Sequence, residues 1–154
     1  MDINTRDFGT IQVSEDAIYD FPDGLYGFEE NKSFSIFSQA FDEVDFLYLQ
    51  ATDSLDPCFL VFEPWDLYDN YAPQVSSEDL KSLDVASVDD LIFLATGSFS
   101  SKEAGLSLNL KSPIILNPKT RQAKQVILLN QDYPLRFYPF EANGSSQEVS
   151  RVSD

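Results

Sequence analysis

The residues of this chain that could do chemistry are mostly acidic, because the sequence holds 26 Asp and Glu but no histidine and a single cysteine. Without histidine, neither a Ser-His-Asp triad nor a Cys-His pair can form, and the commonest zinc ligand is missing. One cysteine cannot build a thiolate metal site or an intramolecular disulfide. Cys58 opens the apolar run CFLVF, so we expect a buried thiol rather than a reactive one.

Paired carboxylates recur along the chain, and such pairs serve glycoside hydrolysis or calcium binding where they converge in space. Examples are Glu29-Glu30, Asp53 with Asp56, and Asp89-Asp90. None matches the spaced D-x-D-x-D-G loop of a calcium site, and a chain so rich in acids contains pairs by chance. We therefore predict a solvated acidic surface with no metal and no cofactor. A carbohydrate- or calcium-binding acidic β-sandwich is kept as an alternative.

The basic residues gather in one stretch, between Asn109 and Leu128, that contains no Asp or Glu. Four of them fall there: Lys111, Lys119, Arg121 and Lys124. The pattern predicts a hairpin, with one apolar strand over 113–116, a turn at Asn117-Pro118, and a second apolar strand over 125–129. Asn suits the first position of a type I turn because its side chain can bond back to the backbone, and Pro suits the second because its φ is fixed. The tip should present Lys119, Thr120 and Arg121 to solvent.

The net charge of −16 opposes binding to nucleic acid or an anionic membrane on electrostatic grounds, and favours a basic protein partner. The charge is unevenly placed along the chain. Residues 1–90 carry 21 acids against 3 Lys and Arg, whereas residues 91–154 carry 5 acids against 7. This division suggests two surfaces with different roles. Neither a signal peptide nor an apolar run of membrane-spanning length occurs, so we expect a cytoplasmic protein.

The apolar residues predict an all-β domain over residues 1–140, either a barrel or a sandwich, with one or two short helices. Two short strands are expected within 3–13, a half-buried strand over 33–38, and a hairpin of strands over 46–51 and 58–63. The apolar run 91–96 has the pattern of a strand covered on both faces. A short helix is expected from Glu78 to Leu83, with Ser77 as its N-cap. The Ser-rich residues 141–154 should form a disordered tail.

A loop between the strands expected within 3–13 and the strand expected over 33–38 combines turn residues with large apolar ones, in the sequence FPDGLYGF from Phe21 to Phe28. Pro22 fixes φ, and Gly24 and Gly27 permit tight bends. Phe21, Leu25 and Phe28 are too apolar for a fully solvated loop. We expect the loop to fold over one end of the core.

Three long blocks then occur in a definite order: FPDGLYGFE at 21–29, LQATDSLDPCFLVFEP at 49–64, and LNLKSPIILNPKTRQAKQVIL at 108–128. Through these blocks the chain resembles the bacterial flagellar assembly factor FliW family over about residues 2–138. The resemblance implies a small β-barrel-like fold with little helix and no enzymatic activity. It also implies two partners in the cytoplasm: flagellin, and CsrA, a small RNA-binding regulator that represses flagellin translation.

In that family, export of flagellin frees the factor to capture CsrA and so relieves the repression. A chaperone that binds flagellin alone is a second possibility. For this chain we predict partner contacts at the hairpin, namely at Asn109, Asn117, Lys119, Thr120, Arg121, Lys124 and Gln125. The loop residues Phe21, Pro22, Gly24, Leu25, Gly27 and Phe28 are expected either to shape turns or to form a secondary contact.

Overall fold

The computed structural model describes residues 1–99, 105–130 and 132–140, and these residues fold mainly into β-strands. The strands are β1 (Asp2–Thr5), β2 (Gly9–Gln12), β3 (Ile18–Asp20), β4 (Ser33–Phe41), β5 (Val44–Ala51), β6 (Cys58–Phe62), β7 (Ile92–Phe99), β8 (Leu106–Leu108), β9 (Ile114–Asn117) and β10 (Gln122–Gln125). One α-helix, α1 (Ser77–Ser82), and three 3₁₀ turns accompany them within the described residues. The prediction of an all-β protein with little helix is confirmed.

Seven of the strands close into a ring, which makes the fold barrel-like rather than a sandwich. The sheet runs in the order β6-β5-β4-β3-β10-β9-β7-β8, and a further pairing of β6 with β7 joins its two sides. All of these pairings are antiparallel except that of β3 with β10. Closure removes the exposed strand edges that an open sheet would present. β1 and β2 form a separate hairpin.

The first half of β7 lies between two hydrophobic cores, as the nearly all-apolar run 91–96 predicted. Leu94 points into the barrel and packs with Phe34, Leu49 and Ile114. Its neighbours Phe93 and Ala95 face outward into a second core. The segment that connects β6 to β7 covers this core with residues such as Tyr71 and Leu83. Successive strand residues point to opposite faces, so a strand that is buried on both faces needs apolar side chains at every position.

The predicted hairpin of β5 and β6 is confirmed, with Leu47 opposite Val61 and Gln50 opposite Cys58. Cys58 is buried, as expected, and burial raises the pKa of its thiol to about 11. The thiol is therefore protonated at neutral pH, the unreactive form of cysteine.

Two local predictions were wrong in detail. Ser76 rather than Ser77 caps α1, because the Ser76 hydroxyl accepts the Asp79 N–H at 3.1 Å. The second strand of the basic hairpin is β10, whereas we expected it over 125–129. The residues after Gln125 leave the sheet, and Val126 and Leu128 pack into the outer core.

Residues 141–154, for which we predict a disordered tail, lie outside the described residues, and the domain boundary near 140 stays a prediction. Among the described residues no helix is long and apolar enough to cross a lipid bilayer.

Candidate partner-binding surface

The side chain of Asn117 anchors the turn between β9 and β10. Its side-chain Oδ1 accepts the Lys119 N–H at 3.0 Å, so the asparagine bonds back to the backbone as its place in the turn predicted. Its Nδ2 donates to the Leu83 carbonyl at 2.7 Å, which ties the turn to the end of α1. Asn117 is only 2% exposed. It was predicted as a partner contact, but it lies inside the fold and positions the residues that follow it.

Two of the four basic residues of this hairpin are neutralised by acids from distant parts of the chain. Arg121 Nη1 lies 2.7 Å from Asp16 Oδ1, and Lys124 Nζ lies 2.7 Å from Asp79 Oδ1. Lys119 and Thr120 are exposed at the tip. The fold therefore interleaves the acidic and basic parts of the sequence, and the hairpin is not the isolated basic surface that the charge division suggested.

We expect the Lys124–Asp79 pair to stabilise the fold and the Arg121–Asp16 pair to contribute little. The side chains of Lys124 and Asp79 are 18% and 22% exposed, and Lys124 also donates to Ser82 Oγ at 3.2 Å. A double-mutant cycle on the free energy of unfolding, built from Lys124→Ala and Asp79→Ala, should give a coupling of about 1–2 kcal/mol.

The Arg121–Asp16 pair serves as the matched control, because its side chains are 40% and 82% exposed. The same cycle there should give less than about 0.5 kcal/mol. Equal coupling in the two pairs would show that burial does not distinguish them.

The loop from Phe21 to Phe28 covers one end of the barrel, as predicted. Phe21 and Leu25 are buried in the barrel core, and the ring of Phe28 packs edge-on against Phe59 of β6 with centroids 5.5 Å apart. Leu25 and Phe28 exchange backbone hydrogen bonds, which closes the tight turn between them. Pro22 and Gly27 are exposed and shape the bends. This end of the barrel is called the mouth below.

Gln125 joins the hairpin to this loop at the mouth. Its Oε1 accepts the Tyr26 N–H at 3.0 Å, and its Nε2 donates to the Ser112 carbonyl at 3.0 Å. Asn109 holds the neighbouring segment, since its Oδ1 accepts the N–H groups of Lys111 and Ser112 at 3.1 and 3.0 Å. Asn109 and Gln125 are thus brought together at the mouth, whereas Lys119 and Thr120 lie at the opposite end of β9.

A cavity of about 320 Å³ opens at the mouth, and we call it the mouth cavity. Its walls combine apolar side chains with the amides described above, and it is lined by Leu25, Tyr26, Phe59, Thr96, Asn109, Ser112, Ile114, Gln125 and Leu135. Tyr26 and Leu135 are exposed at its rim. Tyr26 belongs to the loop that the sequence suggested as a secondary contact, whereas Leu135 was not predicted, because an exposed apolar side chain outside a periodic segment gives no signal of its own.

A second cavity of about 340 Å³ adjoins the first and shares Leu25, Tyr26 and Gln125 with it. Asp23, Glu29, Asp79 and Lys124 line it. Burial raises the pKa of the Tyr26 phenol, so this side chain is neutral at pH 7. Among the residues that the structure describes, no three His, Cys, Asp or Glu side chains are placed to hold a metal ion. The mouth offers apolar contact and amide hydrogen bonds, the means by which one protein recognises another.

Comparison with known proteins gives one consistent result. Residues 2–139 match the family model described as FliW protein. The chain is 36% identical over 135 residues to the flagellar assembly factor FliW of Leptospira biflexa, covering 87% of this chain and 88% of that protein. It is 32% identical over 136 residues to the factor of the same name from Thermoanaerobacter pseudethanolicus, covering 88% and 91%. A crystal structure of a flagellar assembly factor FliW superposes with a TM-score of 0.80 at 27% identity, covering 92% of this chain and 98% of that one.

Proposed function

The chain belongs to the FliW family of flagellar assembly factors, and from that premise we propose that it is a non-enzymatic cytoplasmic protein that binds flagellin and the regulator CsrA. Binding of CsrA by the free factor relieves the repression of flagellin translation. The observation that carries the proposal is the meeting of all three sequence blocks at the mouth. Gln125 of the third block accepts the Tyr26 N–H of the first, Phe59 of the second lines the same cavity, and together they form a concave surface with exposed apolar residues.

The charge of the chain supports antagonism of an RNA-binding protein. A net charge of −16 docked on such a partner repels the phosphate backbone of RNA, even where the RNA site itself is not covered. Each exposed charge acts over about 8 Å at physiological salt, so the acids nearest the interface dominate. The antagonism should weaken as salt is raised.

Calorimetry with purified flagellin and purified CsrA from the same organism tests the proposal directly. We expect binding to each, and displacement of a flagellin leader RNA from CsrA when the factor is added. Binding to flagellin without any effect on the CsrA–RNA complex would instead establish a flagellin-only chaperone. Absence of binding to both proteins would refute the proposal.

Replacing Leu135 with serine should weaken binding of at least one of these partners by about tenfold, which corresponds to roughly 1.4 kcal/mol. Leu135 lines the mouth cavity and is 58% exposed, so its loss removes apolar contact without opening the core. Leu129 is the matched control, since it is 60% exposed and does not line the cavity. Equal binding by Leu135→Ser and Leu129→Ser would exclude the mouth as a contact.

The exposed tip of the hairpin is a second surface to test, and we expect Lys119→Glu combined with Arg121→Glu to weaken one partner without unfolding the protein. Lys119 is exposed, and the Arg121 ion pair is largely solvated, so the double change costs little stability. Calorimetry measures the affinity, and circular dichroism checks the fold. Unchanged affinity for both partners would remove the tip from the interface.

A further inference from the structure

A second concave surface lies on the outer face of the barrel, away from the mouth cavity. It encloses about 320 Å³ and is lined chiefly by Phe8, Phe41, Phe46, Tyr48, Leu60 and Phe99. We call it the hairpin groove, because Phe41 and Phe46 flank the turn between β4 and β5. Exposed apolar surface of this kind on a soluble protein marks an interaction site more often than isolated exposed side chains do.

Packed aromatic rings form the floor of the groove. The rings of Phe37 and Tyr48 stack with centroids 5.4 Å apart, and Phe8 packs edge-on against both of them, at 5.9 and 5.1 Å. Phe41 and Phe99 stand at its sides and are 69% and 62% exposed. A preformed apolar surface binds without the entropy cost of ordering its own side chains.

The rim of the groove is acidic. Asp42, Glu43 and Asp45 form or adjoin the turn that separates Phe41 from Phe46, and Asp45 pairs with Ala40 of the groove wall. None of the ion pairs found among the described residues involves these three carboxylates. An occupant must therefore present apolar side chains to the centre of the groove and positive charge to its rim.

Other parts of this chain do not meet those requirements. Residues 100–104 read SSKEA and residues 141–154 read EANGSSQEVSRVSD, and neither segment contains an aromatic residue, leucine, isoleucine or methionine. A second copy of the chain would bring the same acidic turn against this one and add another net charge of −16. The two segments therefore lack the apolar side chains that the groove requires, and a second copy would bring negative charge against an acidic rim.

We propose that the hairpin groove is a docking site for an apolar segment of a protein partner whose flanking residues are Lys or Arg. The apolar residues of the segment cover Phe41 and Phe99, and its basic residues lie against Asp42, Glu43 and Asp45. This site is separate from the mouth, so the two surfaces can be occupied by different segments. The proposal does not depend on which protein binds the mouth.

The test uses two synthetic peptides as probes, LKKLLKLLKKLL and its acidic counterpart LEELLELLEELL, with the full-length protein. We expect the basic peptide to bind and the acidic one not to bind. Phe41→Ser combined with Phe99→Ser should weaken the basic peptide by about tenfold. Phe140→Ser is the matched control, because Phe140 is 67% exposed and does not line the groove, and it should bind like the wild type.

A charge variant gives an independent measurement that leaves the apolar residues in place. Glu43→Lys combined with Asp45→Lys should weaken the basic peptide and allow the acidic one to bind. Equal binding of the basic peptide by wild type and by the Phe41/Phe99 variant would overturn the proposal, since it would reflect only the overall charge. Sedimentation that shows a wild-type dimer, lost in the Phe41/Phe99 variant, would also overturn it by making a second copy the occupant.

Discussion

Replacing Gly24 with alanine is expected to lower the free energy of unfolding by about 3 kcal/mol and to weaken binding at the mouth. Gly24 has φ +66, in the left-handed region that disfavours a side chain. A Cβ there would lie 2.6 Å from Glu29 Cα and 2.6 Å from the Phe28 carbonyl oxygen. Both are backbone atoms, so relief requires the loop itself to move. That movement displaces Leu25 from the barrel core and Tyr26 from Gln125.

Gly27 provides the control, since it also has a positive φ, +86, but a Cβ there meets nothing within 4 Å. Gly27→Ala should cost only the backbone strain, about 1 kcal/mol. Chemical denaturation of both variants, with calorimetry against flagellin and CsrA, measures the two effects. Equal destabilisation by Gly24→Ala and Gly27→Ala would show that the close approach of backbone atoms is not the reason for glycine at position 24.

The strands that could be predicted are those in which the pattern of apolar and polar side chains reflects the burial of each position. The apolar run 91–96 predicted a strand covered on both faces, and in β7 the side chains of Phe93, Leu94 and Ala95 alternate between the outer core and the barrel core. β4 was predicted only to Ser38, whereas it reaches Phe41. Its last pairs, such as Phe41 with Val44, project from the barrel with both side chains exposed, so alternation of burial no longer marks the strand.

β10 could not be located because its own side chains are poor evidence for a strand. Its sequence is QAKQ, and only Ala123 is buried. The strand is specified by its pairing with β9 and by the Asp20 N–H, which donates to the Arg121 carbonyl at 2.8 Å. The more apolar residues that follow, Val126 and Leu128, drew the prediction to the wrong segment.

In the candidate site too, local features could be predicted from the sequence and long-range contacts could not. The turn at Asn117 and the covering loop at Phe21 to Phe28 follow from local turn chemistry and were predicted. The pairing of Lys124 with Asp79 and of Arg121 with Asp16 joins residues 45 and 105 positions apart. A count of charges along the chain cannot detect such pairs, so the hairpin looked more basic than the folded surface is. The hydrogen bond from the Tyr26 N–H to Gln125 spans 99 positions and was equally invisible.

Asn117→Ala is expected to destabilise the protein by about 2–3 kcal/mol, the larger part of it from the lost link to α1. The substitution removes the acceptor of the Lys119 N–H, which can turn to water because Lys119 is exposed. It also removes the donor to the Leu83 carbonyl, whose hydrogen bond is enclosed within the fold. A buried carbonyl left without a donor retains its full desolvation cost. Chemical denaturation monitored by circular dichroism measures the change.

Two further variants separate the local turn from the long-range link. Asn117→Asp keeps the acceptor for Lys119 but loses the donor and places negative charge against the Leu83 carbonyl, so it should be at least as destabilising as Asn117→Ala. Asn109→Ala removes a side chain that accepts two local N–H groups and makes no contact comparable to that with Leu83, so it should cost only about 1 kcal/mol. If Asn117→Asp were as stable as the wild type, the Leu83 bond would contribute nothing. The turn would then be held by its local hydrogen bonds alone, and the tip and the helix would be free to move independently when a partner binds.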